Sequence, residues 1–239
     1  MNGKDISNRF NVNKVHLGNV KGPIFIGRTW AEYIKMFNID LENISGESIL
    51  DCGAGASSFT AVMSEKGFDI KAVDIIYNNS PDILSVKCKE HLELLIAGLK
   101  STDLFVWDFF NDIGDLKKQR IDVCRKFIED YRKYKGYRYV NADLRSLPFK
   151  DNSFSIVLCS HLLFIYDHRL DYDFHLRAIV EMLRVSSNEL RIYPLVKNLG
   201  KKSVFVEQIM DDLGDFYVEI VKVGYEFRKG GNEMLRIVK

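Results

Sequence analysis

The residues best placed to do chemistry sit in one short stretch, Asp51-Cys52-Gly53-Ala54-Gly55-Ala56-Ser57-Ser58. An apolar pair, Ile49-Leu50, leads in, and an apolar helical pattern follows. That order reads as a buried strand, a tight turn and a helix start. Gly53 and Gly55 have no β-carbon, so they can take positive φ and let a ligand lie against the backbone. Ser57 or Ser58 can cap the next helix, and the free amides of its first turn would face the ligand. A dinucleotide site would use Gly-x-Gly-x-x-Gly, but Ser58 stands at the completing position. Asp51 would repel a pyrophosphate and favours a ligand with positive charge. Asp74 follows at about 20 residues, the interval at which α/β nucleoside sites place a ribose-binding carboxylate. One carboxylate can accept from both ribose hydroxyls.

A second candidate is His161, just after an apolar run that reads as a central strand. Ligands bind at the carboxyl edges of such strands, and a histidine there can act as a general base. It can equally be a hydrogen-bonded loop histidine. His161, His168 and His175 recur every seven residues, with Asp167 and Asp171 among them. They span a strand end, a loop and a helix start and match no metal-ligand spacing, so no metal is expected.

The elements that must position these groups follow from punctuation and periodicity. The chain of 239 residues is 46% hydrophobic and 28% charged, which suits one sizeable soluble α/β domain, 1–239. A net charge of +1 gives no global field toward nucleic acid or an anionic membrane. No apolar run approaches a bilayer span, and the polar opening does not read as a signal peptide. Cys52, Cys88, Cys124 and Cys159 lack Cys-x-x-Cys spacing. Free thiols fit a reducing compartment, so a cytoplasmic protein without membrane partners is expected.

Met1 to Lys21 reads as loosely held. Residues 22–45 read as a helical lid segment: Thr29 caps a helix from Trp30 to about Phe37 that could cover the site or simply pack. Strands are expected at Ser48 to Asp51, Asp69 to Asp74, Tyr137 to Asp143, Asn152 to Ser160 and Glu189 to Tyr193. Gly67 ends the first helix after the glycines. Residues 78–136 read as a helical insertion. Within it lie a helix from Pro81 to about Leu99, an aromatic run (Phe105, Trp107, Phe109, Phe110) and a helix from about Asp115 to Lys135. The latter carries Leu116, Cys124, Phe127, Ile128, Tyr131 and Tyr134 on one stripe. Long segments at a site's rim often serve as lids or substrate pockets. Its basic residues (Lys117, Lys118, Arg120, Arg125, Lys126, Arg132, Lys133, Lys135, Arg138) alternate with tyrosines. Such a face can bind single-stranded nucleic acid, or, with Asp115, Asp122, Glu129 and Asp130 interspersed, be merely solvated. A helix from Ser203 to Leu213, a strand from Tyr217 to Val223, a glycine turn at Arg228 to Glu233 and a last strand from Met234 close the chain. The final two strands read as an antiparallel hairpin.

The Asp51-x-Gly53-x-Gly55 stretch resembles motif I of the class I S-adenosylmethionine-dependent methyltransferases, with Ser57 in place of that motif's last Gly. Ala142-Asp143-Leu144-Arg145-Ser146-Leu147-Pro148-Phe149-Lys150-Asp151-Asn152-Ser153-Phe154-Ser155-Ile156-Val157 is similar to a run common in small-molecule members such as the ubiquinone and menaquinone C-methyltransferases. Ser155 stands where that run usually has Asp. Glu181-Met182-Leu183-Arg184-Val185 resembles the segment before the fifth strand.

The resemblance implies a seven-stranded, mostly parallel Rossmann-like sheet with a C-terminal antiparallel hairpin, interrupted by the insertion. It implies S-adenosyl-L-methionine as cofactor, bound by Asp51, Cys52, Gly53, Ala54, Gly55, Asp74 and Ile75. It further implies that Asp143 meets the adenine amino group, Leu144 offers its amide there, and Ser160 lies beside the methionine part. The expected activity is methyl transfer to a small-molecule acceptor, with His161 as candidate base. A base is needed only if the acceptor is protonated. An RNA methyltransferase using the basic insertion and a non-catalytic cofactor-binding module stay open as alternatives. The Asn/Asp-Pro-Pro-Tyr/Phe signature of amine and amide methylases is absent after the fourth strand, and Cys159 lacks the context of a cytosine C5 nucleophile. Acceptor and oligomeric state stay open.

Overall fold

The computed structural model describes residues 23–99, 102–197 and 200–239. The Met1 to Lys21 segment expected to be loosely held lies outside them. The elements in chain order are α1 (Trp30–Met36), β1 (Ser48–Cys52), α2 (Phe59–Glu65), β2 (Asp69–Val73), α3 (Pro81–Leu99), α4 (Ile113–Tyr134), β3 (Tyr139–Val140), β4 (Phe154–Ser160), α5 (Tyr172–Val185), β5 (Ser186–Tyr193), α6 (Phe205–Asp212), β6 (Tyr217–Lys222) and β7 (Glu233–Val238). The strands form one sheet of order β3-β2-β1-β4-β5-β7-β6. All pairs are parallel except β5 with β7 and β6 with β7. This is the seven-stranded Rossmann-like methyltransferase sheet with its antiparallel end.

The central strands are buried on both faces, as parallel strands under helices must be. Side chains alternate across the sheet. In β4, Val157 and Cys159 join the core under α5 and α6, while Ile156 and Leu158 join the core on the other face with α1 and α2. In β1, Leu50 and Ile49 divide the same way.

Helix starts follow their caps. Thr29 caps α1 as expected, and with Glu32 it forms a reciprocal capping box,. Asp112 caps α4 through Asp115 N–H at 2.7 Å, three residues ahead of the expected start. The α4 stripe also differs. Arg120 and Val123 are buried in it, whereas Tyr134 is exposed.

β3 is shorter than the expected 137–143. It is the sheet edge, and β2 offers it partners only at Ala72 and Val73. β5 begins at Ser186, ahead of the expected Glu189, because Ser186 already pairs with Phe154 before an irregularity in register. The β6–β7 connection holds the expected glycine turn at Arg228 to Gly231 but is longer than that turn. It carries Tyr225 and Phe227 back into the core.

Candidate active site

The carboxyl ends of β1, β2, β3 and β4 open into one cavity of about 620 Å³, within the range of small-molecule sites. The strand order reverses between β1 and β4, the position where open α/β sheets bind ligands.

At the β1 end, Gly53 and Gly55 have φ of +64° and +56°. A β-carbon on Gly53 would lie 2.6 Å from Leu162 Cδ2, so the turn also holds the residue beside His161. The turn is pinned from behind. Gly53 and Ala54 N–H donate to Val73 O at 2.9 and 3.2 Å, and Tyr77 Oη donates to Gly55 O at 2.7 Å. The Ser57 hydroxyl accepts from Phe59 N–H at 3.0 Å and so caps α2, while Ser58 makes no cap bond.

Asp74 closes β2. Its carboxylate accepts from Gly55 N–H at 2.9 Å and Ile76 N–H at 3.0 Å. Burial raises its pKa despite these two bonds. Each oxygen has capacity for a further hydrogen bond, and Asp74 lines the cavity. Asp143 at the β3 end is ion-paired with Arg145 at 2.6 Å, which holds its carboxyl below the ordinary range.

Gly53, Ala54, Gly55, Asp74, Ile75, Asp143, Leu144, Ser160 and His161 all line the cavity. Asp51 and Cys52 stand behind the wall, wholly buried. Asp51 Oδ1 accepts from Tyr33 Oη at 3.1 Å, and burial pushes its pKa well up. Asp51 therefore reaches the cavity wall through Tyr33, which lines it.

His161 follows β4 with φ +53°, a conformation a non-glycine residue holds only when its surroundings enforce it. Its N–H donates to Tyr193 O at 2.7 Å, and its Nδ1 lies 2.9 Å from Ser160 Oγ. Burial and then Arg28, Arg120 and Arg228 push its pKa well below 6.5, so the ring is neutral at pH 7. If Nδ1–H donates to Ser160, Nε2 is the basic nitrogen. His168 also lines the cavity, whereas His175 is buried on the inner face of α5. Among the described residues no group of His, Cys, Asp and Glu could hold a metal.

Two walls come from outside the sheet's own connections. The segment from Pro23 to Arg28 crosses the cavity. Ile24 N–H donates to Tyr166 Oη at 3.0 Å, and Phe25 N–H to His91 Nδ1 at 2.7 Å. A β-carbon on Gly27 would meet Ala56 O at 2.0 Å and Val123 Cγ1 at 2.3 Å, so only glycine fits between the turn and α4. From the insertion, Phe105 lines the cavity with Leu95 and Leu99. Trp107, Phe109 and Phe110 instead pack on Tyr225 and Phe227.

The sequence reading missed Arg28, Tyr33 and Arg228 in the wall, and a buried staple beneath it. Glu32 of α1 takes a bidentate pair from Arg120 of α4 at 2.5 and 2.7 Å and a hydroxyl from Tyr225 at 2.5 Å. A charged Glu and Arg on the apolar stripes of their helices were the available signal.

The family model described as a methyltransferase domain matches residues 113–189, from α4 into β5. An uncharacterized protein of Methanocaldococcus jannaschii, MJ0045, is 38% identical over 221 residues, covering 92% of this chain and 97% of that protein. A second from the same organism, MJ0638, is 28% identical over 109 residues, 46% of this chain and 44% of that protein. Among solved structures, magnesium protoporphyrin IX methyltransferase of Synechocystis PCC 6803 with bound S-adenosylmethionine is 14% identical with a TM-score of 0.46, covering 83% of this chain and 72% of that one. A methyltransferase from Aquifex aeolicus is 14% identical with a TM-score of 0.40, covering 87% and 91%. The chain belongs to one family with MJ0045, and the methyltransferase-domain match supports the class I S-adenosylmethionine-dependent methyltransferase family. It is an enzyme, and S-adenosylmethionine is its cofactor.

Proposed function

We propose that the enzyme methylates a small-molecule acceptor held in the 620 Å³ cavity. The observation that carries this reading is enclosure. The glycine turn and His161 share one cavity, which the Pro23 to Arg28 segment and the insertion's Leu95, Leu99 and Phe105 wall in. A site walled this way suits a compact acceptor and excludes water.

The cavity fits the cofactor's chemistry. Two glycines of positive φ bring bare backbone to the wall, and Asp74 offers its outer lone pairs to ribose hydroxyls. Asp143 with Leu144 would border the base, and Ser160 the amino-acid part. When bound, S-adenosylmethionine would supply a sulfonium-activated methyl group to an acceptor lone pair, and any acceptor proton would need a base. His161, neutral and beside the turn, is the residue to take that proton at Nε2 while Ser160 holds Nδ1. Residues 23–45 and 78–136 act as the lid and cap of this site.

The basic insertion favours this over an RNA acceptor. Arg120 is buried against Glu32, and Arg138 is paired with Asp130 at 2.6 Å. Arg132 pairs with Asp82, Lys117 with Glu93 and Arg125 with Glu129. The tyrosines divide too, with Tyr131 in the core. A helix so neutralised makes a solvated cap, not a phosphate track.

Thermal denaturation tests the site. S-adenosylhomocysteine at 100 times its Kd should stabilise by about 2.7 kcal/mol, and NAD should leave the transition where it is. Equal shifts with both, or none with either, would contradict the assignment.

A further inference from the structure

The four cysteines fall into two pairs of different character. Cys52 and Cys159 stand opposite one another in the β1–β4 register. Both are wholly buried in the core, and burial pushes both thiols up. Thiols held that way in apolar surroundings are inert.

The other pair lies outside the methyl-transfer site. Cys88 of α3 and Cys124 of α4 meet where the two insertion helices pack together. Their thiols share a hydrogen bond, with Cys88 as donor. Cys88 is buried, whereas Cys124 is only half-buried. A separate cavity of about 300 Å³ opens at this point, lined by both cysteines and by Lys89, Ile121, Arg125 and Glu129. Arg125 is engaged by Glu129 at 3.3 Å and Asp122 at 3.8 Å. The bond from Cys88 and the charge of Lys89 together outweigh burial and hold the Cys124 thiol below its ordinary range. The same bond, with burial, pushes the donor Cys88 far up. A cysteine that only fills a core is closed to reagents. Here the better nucleophile is the more exposed partner, and a cavity large enough for a small molecule adjoins it.

We propose that Cys124 and Cys88 form a thiol-exchange site for a low-molecular-weight disulfide, with Cys124 as the attacking thiolate and Cys88 as the resolving thiol. Cys124 Sγ bonds to one sulfur of the small disulfide, that S–S bond breaks, and the other sulfur leaves as a thiolate. The Cys88 proton passes to the departing thiolate. Cys88 Sγ then bonds to Cys124 Sγ, the mixed disulfide breaks, and the second small thiolate leaves. The protein is oxidised by two electrons, and the small disulfide is reduced to two thiols. The product is a cross-link between α3 and α4. It fastens the helix whose His91 accepts from Phe25 N–H and whose Leu95 and Leu99 wall the acceptor cavity. Oxidation thus acts on the cap of the site and leaves the glycine turn untouched.

Peptide mapping by mass spectrometry tests this on the full, native chain treated with oxidised glutathione. The wild type should lose two hydrogen atoms and give one cross-linked peptide pair, Cys88 to Cys124, with Cys52 and Cys159 still free. Dithiothreitol should reverse the change. Cys88→Ser should trap one glutathione on Cys124, and Cys124→Ser should take up glutathione roughly tenfold more slowly or not at all. A lasting glutathione adduct on wild-type Cys124 overturns the inference, because Cys88 then fails to resolve it. So does a cross-link that forms only in urea. A second measurement needs no variant: iodoacetamide on the untreated native wild type should label Cys124 roughly tenfold or more ahead of Cys52 and Cys159. Equal labelling of the cysteines also overturns it.

Discussion

Asp74 shows how one side chain can shape a site and serve it. Its two oxygens fix the amides of Gly55 and Ile76 and so hold the turn on which a nucleoside would rest. Asp74→Ala should weaken S-adenosylhomocysteine binding by about 1.5–3 kcal/mol, the range for hydrogen bonds to a charged group. Asp74→Asn keeps one acceptor and should lose less. Calorimetry on folded variants checks this, and unchanged affinity would mean that another residue holds the ribose. The glycines, Asp74 and His161 were legible in the sequence because turn chemistry and strand ends leave local marks. Arg28 and Arg228 left none. Each is an ordinary basic residue in a loop, and only tertiary folding carries both to one cavity. Asp51 was misleading for the opposite reason. It has the right neighbours in sequence, yet its strand position turns it into the core behind Tyr33.

Among the elements, α1, α4 and the β6–β7 connection are fastened by one buried ion pair. Burial alone would raise the pKa of Glu32, but Arg120, Arg28 and Tyr225 outweigh it and hold it down to about 2. A folded pKa below the ordinary 4.5 means that the ionised form stabilises the fold. That contribution is fully present above pH 4.5 and is lost as pH falls toward 2. Glu32→Gln leaves Arg120 buried without its counter-charge, at a cost of about 3–5 kcal/mol. Urea unfolding at neutral pH should show that loss. Repeated down to pH 3, it should show a flatter acid dependence in the variant than in the wild type. An equally steep acid dependence would place the pH sensitivity elsewhere. Helix existence was readable from caps and stripes, but the pair was not, because polar residues on an apolar stripe read as solvated until a partner is found. The same holds for the aromatic run of the insertion. Its apolar surface demanded burial, and the β6–β7 connection supplies Tyr225 and Phe227 as partners for most of it.

For the molecule as a whole, the alternation of strands and helices and the closing hairpin, with the family resemblance, led to the expectation of a seven-stranded, mostly parallel sheet with an antiparallel end, which is found. No helix among the described residues is long and apolar enough to cross a membrane. A lid and an insertion at the rim were expected, but the contacts that hold them over the site could not be read. The Pro23 to Arg28 segment is held over the strand ends by hydrogen bonds between residues far apart in sequence, Ile24 with Tyr166 beyond β4 and Phe25 with His91 of the insertion. That enclosure is the basis for a small acceptor, so it is the claim most in need of a direct measurement. The enzyme would be incubated with S-adenosylmethionine carrying a tritiated methyl group and a whole-cell extract, and the products separated into small-molecule, RNA and protein fractions. The label should enter the small-molecule fraction, and a Gly53→Ala enzyme, whose turn collides with Leu162, should place much less there. Label confined to RNA or protein would contradict the account.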